Sequence, residues 1–302
     1  MSLLTIENEY LRIKVKTKGA ELCSIYSKPL DREFMWQPCN EIWNHSSLFM
    51  FPNTARIKDW KAIIRGREYP QLMQGFCRDS EFDVIRQDSL SVELALDSGE
   101  ESRRHLPYEY RLRVVFELTD DALLQTVTVT NDDEGDMYFG MGFHPGFALP
   151  LGEGAASDHI LRFSKPQTVF RYGLCEGSKL SSGQDESFLT DSSFLRLEEG
   201  IFDRGAIVCG GFDTDTVTIV SEKSGMFVEM SVKGFSDIAF WGNPGVPRLC
   251  CIEPWITVSD RFDSDRIWED KPGQIRLSPG SSFSVRLSYR TGRSDKGTDN
   301  VL

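Results

Sequence analysis

The chain has 302 residues, 40% of them hydrophobic, and carries 46 acidic against 34 basic side chains, for a formal net charge of -12. That length and apolar content can fill a complete core, while the negative mean field repels phosphate and argues against a nucleic acid or an anionic membrane as partner. No apolar run reaches the length of a membrane span, and Met1-Ser2-Leu3-Leu4-Thr5-Ile6-Glu7 has neither the charged nor the apolar region of a signal peptide, so a cytoplasmic protein is expected. The seven cysteines are odd in number and dispersed, with Cys250 and Cys251 adjacent and no Cys-x-x-Cys pair, which fits reduced thiols. On that compartment, the sequon Asn44-His45-Ser46 is accidental.

In chain order, the dominant signal is alternation with period two, the mark of strands. Leu11, Ile13 and Val15 alternate with polar residues, as do Val92, Leu94 and Leu96, then Leu112, Val114, Phe116 and Leu118. Asn131-Asp132-Asp133-Glu134-Gly135-Asp136 reads as a turn after the threonine-rich strand around Val127 and Val129. Gly173 to Asp191, rich in Ser and Gly, is the longest expected loop. Met226, Val228, Met230 and Val232 share one strand face, and Phe283, Val285, Leu287 and Tyr289 face inward from a last strand, before a polar tail from Thr291 to Leu302 that is expected to fray. Many strands and no long amphipathic helix predict an all-β fold, a large antiparallel sandwich, formed as one domain over residues 1–302 because no repeat or linker divides the chain.

Two segments stand apart from this pattern. Gly142-Phe143-His144-Pro145-Gly146-Phe147 and Cys251-Ile252-Glu253-Pro254-Trp255 each offer a titratable group just before a proline. Proline disfavours helical backbone at the residue before it, so His144 and Glu253 are expected in extended chain, at a strand end or in a turn, facing one cleft. Each alone reads equally well as a hydrogen-bonded core residue or a buried carboxylate paired with an arginine.

Together with Phe51-Pro52 and Arg56, Gln74-Gly75-Phe76-Cys77-Arg78-Asp79, and Phe240-Trp241, these motifs resemble in order and spacing the aldose 1-epimerase, or galactose mutarotase-like, family, and its LacX-type branch most. The resemblance covers most of the chain and implies a β-supersandwich with a sugar cleft on its concave face. It also implies that Glu253 acts as general base and His144 as general acid. The chemistry suits those residue types. Exchanging the anomers of a pyranose removes the proton from the anomeric hydroxyl and protonates the ring oxygen, a carboxylate serves the first step, and a histidine serves the second. No metal or organic cofactor is required, and His45, His105, His144 and His159 show no metal-ligand spacing.

The same resemblance suggests substrate-binding roles for Arg56, Gln74, Arg78, Trp241 and Asp203. Arg56 could equally be a surface residue, Arg78 a local partner of Asp79, and Trp241 or Trp255 a core aromatic. Two positions depart from the family pattern: Gln74 stands where many relatives have histidine, and Gly205 aligns with a substrate-binding aspartate, for which Asp203 is the nearest substitute. The leading expectation is therefore a cofactor-independent mutarotase of a small reducing sugar. The alternatives are a hexose-phosphate mutarotase with Arg56 and Arg78 as the phosphate clamp, and a non-catalytic sugar-binding protein. A glycoside hydrolase pairing Glu253 with Asp260 or Asp263 ranks last.

Overall fold

A computed structural model describes residues 1–294, and its dominant element is a 14-stranded sheet, accompanied by a four-stranded N-terminal sheet and two two-stranded ribbons. The alternating segments form strands with the expected faces. Leu11–Lys16 buries Leu11, Ile13 and Val15 and leaves the residues between them half-buried, and Tyr110–Leu118 pairs antiparallel with Ala122–Asn131 around a core of Leu112, Val114, Val127 and Val129. The fold is all-β, a large antiparallel sandwich. Among the described residues the only α-helix is Glu100–Arg103, and no helix is long and apolar enough to cross a membrane. All seven cysteines are free thiols.

Two strands at the centre lack alternation. Gly142–Ala148 is buried at every residue but the last, and Leu249–Trp255 at every residue. Layers cover both of their faces, which is why each reads as a continuous block instead of a period-two pattern. They are neighbours in the large sheet, flanked by Ser47–Met50 on one side and Asp237–Trp241 on the other.

Three expectations change. The segment Gly173 to Asp191 is not one loop, because Glu186–Arg196 forms a strand along His159–Arg171. That ladder contains three register shifts, and bulges of this kind erase the alternation by which a strand is recognised. Thr291 to Arg293 complete the strand Ser282–Arg293, paired with Met226–Val228 through backbone registers that need no apolar anchor; residues 295–302 of the expected tail lie outside the described residues. His144 and Glu253 are extended as expected, but sit inside their strands rather than at an end or in a turn. The turn at Asn131 is held as its composition suggested, with the Asn131 and Asp133 side chains accepting the N–H groups of Asp133 and Gly135.

One loop crossing bears on the site. The Gly75 region docks on Phe51, whose carbonyl accepts the Phe76 N–H at 3.0 Å. Gly75 has φ 75°, and a Cβ there would lie 2.0 Å from the Phe51 oxygen. Gly66 has nearly the same φ, 74°, with nothing within 4 Å of the corresponding position. Gly66→Ala should therefore cost only the conformational term of about 1–3 kcal/mol, and Gly75→Ala clearly more because the Phe51 backbone must move. Urea unfolding midpoints compare the two directly; equal losses would mean that the Gly75 crossing is not tight.

Candidate active site

The register Gly142↔Trp255 and Gly146↔Cys251 places His144 opposite Glu253 on adjacent antiparallel strands, so both side chains leave the same face of the sheet. The registers of the next strands put Ala239 beside Glu253 and Val208 beside Ala239, which completes a row across four strands. Pro145 and Pro254 have no N–H to donate, and the recorded pairing lapses between Gly142 and Gly146. The acid/base pair occupies that lapse. His144 Nε2 lies 3.2 Å from Glu253 Oε1, with His144 6% and Glu253 2% exposed.

Above the pair opens a cavity of about 470 Å³, within the range of small-ligand sites. Trp43 stacks on His144 with ring centroids 4.8 Å apart, and Trp241 meets both rings edge-on at 5.7 and 5.9 Å. Trp255, two residues beyond Glu253 on the same strand face, also lines the cavity. Arg56 enters from a segment pinned to the far side of the site: its carbonyl accepts the Asp260 N–H at 2.9 Å, and its guanidinium lies 4.9 Å above the Trp60 ring. Gln74, at φ 61°, accepts a hydrogen bond from Arg78 through Oε1 at 2.9 Å, which leaves its NH₂ group as the free end.

Arg78 is anchored from a second side. Its Nη2 approaches His45 Nε2 at 3.2 Å, and since arginine only donates, that nitrogen accepts and Nδ1 carries the hydrogen, 3.7 Å from Glu21 Oε1. Burial pushes the Glu21 carboxyl up, but His45, the Ser46 N–H and Lys16 outweigh it and hold the group at about 2. A permanently ionised residue of the N-terminal sheet thus orients His45, and through it Arg78.

Burial acts on the catalytic candidates in opposite senses. It pushes His144 down to about 3, with Arg78 and His45 adding to the effect, and it pushes Glu253 well above the carboxylate range against the pull of the Trp255 N–H. Both shifts favour the uncharged form, a carboxylic acid facing a neutral imidazole. Cys251, two residues before Glu253, brings its sulfur within 4.8 Å of the donor atoms of both, a trio that sequence spacing does not disclose. Burial raises the Cys251 thiol and the Glu253 carboxyl alike, which opposes the anionic forms in which those two would bind a metal, while it keeps His144 neutral.

Of the residues singled out from sequence, Glu253, His144, Arg56, Gln74, Arg78 and Trp241 all line this one cavity. Asp203 does not: its carboxylate accepts the Gly245 N–H at 2.8 Å and ties its loop to that of Gly245, while Arg204 and Gly205 take the wall positions. Asp260 and Asp263 are also elsewhere, the first paired with Lys271 and the second with Arg261, so the cavity offers Glu253 no second carboxylate. Trp43, His45, Lys179 and Arg204 were missed. They come from irregular segments with no periodic signal, and only the charges of Lys179 and Arg204 beside glycines hinted at more than loop.

This architecture has close counterparts. The family model described as aldose 1-epimerase matches residues 2–290. The plasmid-encoded Protein LacX of Lactococcus lactis subsp. lactis is 29% identical over 284 residues, which are 91% of this chain and 95% of that protein. The crystal structure of a galactose mutarotase related enzyme from Lactobacillus acidophilus matches with a TM-score of 0.90 at 29% identity, covering 100% of both chains. A galactose mutarotase-like protein from Lactobacillus casei matches with a TM-score of 0.89 at 25% identity, over 96% of this chain and 100% of that one. With a family match that spans nearly the whole sequence and a sandwich shared with these structures, the chain belongs to the aldose 1-epimerase family.

Proposed function

We propose that this protein interconverts the α and β anomers of a reducing sugar, with Glu253 as general base at the anomeric hydroxyl and His144 as general acid at the ring oxygen. The observation that carries this reading is the 3.2 Å approach of the two groups, both buried, at the base of one cavity. Proton bookkeeping supports it. Ring opening begins from the carboxylate and imidazolium, moves the hydroxyl proton to Glu253 and the imidazolium proton to the ring oxygen, and ends with both groups neutral. Rotation about the bond to C1 exposes the other face of the aldehyde, and closure returns both protons. The protonation state favoured by burial is thus the one that accompanies the open-chain sugar, the least stable species on the path.

Glu253→Gln and His144→Asn should each reduce turnover by about 10²–10⁴-fold, the usual worth of one general acid or base. NMR exchange between anomers at equilibrium measures this for several sugars. Near-normal turnover in either variant would remove the pair from the reaction, and binding without exchange in the wild type would leave a non-catalytic sugar-binding protein.

The pH dependence follows from the single shared proton. In acid the pair gains a second proton and loses its base, and in alkali it loses the only proton and with it the acid. Since His144 is pushed down and Glu253 up, kcat/KM should trace a bell with a broad top through neutrality. A rate constant unchanged through both limbs would contradict the assignment.

Stability should move the other way in one variant. In the unfolded chain Glu253 ionises near 4.5, whereas the folded protein keeps its proton to higher pH, so its contribution is complete below 4.5 and is lost as pH rises toward the folded value. Glu253→Gln removes that loss. Its Tm should exceed the wild type by a margin that grows from about pH 4.5 toward neutrality, in the same variant that has lost activity. A margin that is constant or shrinks with pH, measured by calorimetry, would show that Glu253 is not held neutral by the fold.

A further inference from the structure

The cavity carries charge that the acid/base pair does not need. In a chain with 46 acidic and 34 basic residues, the described residues of its wall include Arg56, Arg78, Lys179 and Arg204 and a single carboxyl, Glu253, which burial holds toward its neutral form. Arg78 is committed to Gln74 and His45, with Asp79 at 3.6 Å from its Nε. Among the described residues, Arg56, Lys179 and Arg204 have no ion-pair partner; Arg56 only covers the Trp60 ring. Lys179 and Arg204 are exposed at the rim, from separate loops, with no role in holding the fold together. Sequence reading included neither.

Gathering like charges around one concavity costs free energy in the empty protein, and a neutral sugar does nothing to offset it. An anion does, and a guanidinium fork matches the oxygens of a phosphate or a carboxylate. The same wall also has room. Gly205, at φ 89°, lines the cavity beside Arg204, and a Cβ there would meet nothing within 4 Å. We infer that the preferred substrate is a reducing sugar bearing an anionic substituent, phosphate or carboxylate, received by Arg204, Lys179 and Arg56. This rests on the anomer exchange proposed above. The substituent cannot be on O1, because the reaction begins by removing the proton of a free anomeric hydroxyl.

The test compares glucose, glucose 6-phosphate and glucuronate by NMR exchange between anomers, at low salt and at about 0.5 M salt. 1,5-Anhydroglucitol 6-phosphate, which has no anomeric hydroxyl and cannot open, serves as a ligand for calorimetry. The ratio of kcat/KM for a charged sugar to that for glucose should be at least about tenfold at low salt and should fall severalfold at high salt. It should collapse toward unity in the Arg204→Gln, Lys179→Gln double variant and persist in Arg204→Lys, Lys179→Arg. Equal preference for phosphate and carboxylate identifies charge alone as the determinant, and preference for phosphate only identifies the dianion; either supports the inference. A ratio at or below one, insensitive to salt, overturns it while leaving anomer exchange intact. If instead no sugar is exchanged but 1,5-anhydroglucitol 6-phosphate still binds and loses about tenfold in affinity in the Gln double variant, the proposed reaction fails and the anion site stands. Absence of both exchange and binding overturns both.

Discussion

Two ionisable groups that face each other across 3.2 Å with almost no access to water set the terms for the rest of this molecule. Burying a carboxyl and an imidazole is costly if either is charged alone. The pair escapes that cost because burial pushes each group toward its uncharged form. Trp43 and Trp241 close over His144, Trp255 flanks Glu253, and strands on both sides fix the sheet from which they project. On the proposed reaction, the working form of the pair differs from the uncharged one by a single proton transfer from Glu253 to His144.

Such a pair would be of little use in an undirected cavity, and the surrounding polar groups supply direction through a chain that begins far from it. Glu21 belongs to the N-terminal sheet, yet its ionised carboxyl orients His45, His45 accepts from Arg78, and Arg78 fixes which end of the Gln74 amide is free. A neutral amide at position 74 therefore presents a donor of settled identity. The donors of the wall outnumber its acceptors, in a protein whose overall charge is negative.

The fold was legible in sequence wherever one sheet face meets solvent, as in Leu11–Lys16 and Tyr110–Leu118, because only then does burial write an alternating pattern. It was illegible at Glu186–Arg196, where bulges shift the register, and at Thr291–Arg293, which are held by strand pairing and by Arg293 Nε donating to the Ser224 carbonyl. For the site, the proline after each of His144 and Glu253 disclosed extended backbone but not its place in mid-strand, since the two prolines fall in one gap of the ladder at different register positions and neither reveals the other. Asp203 was a matter of one residue: Arg204 lines the wall, whereas the Asp203 carboxylate is taken by the backbone N–H of Gly245. Trp43 had no signal at all, being a half-buried aromatic in an irregular segment.

The opposition of His144 and Glu253 on neighbouring strands has a consequence for how this protein can change over time. Side chains alternate faces along a strand, so the insertion or deletion of one residue between Gly142 and His144, or between Glu253 and Trp255, would turn one member of the pair toward the opposite layer while leaving most of the sheet's hydrogen bonding available. Point substitution at the loops that supply Lys179 and Arg204 carries no such penalty, because those residues hold nothing else in place. On the proposed reading, the chemistry is locked to strand register and inherited as a unit, whereas the choice of ligand rests on surface loops that can drift independently of it.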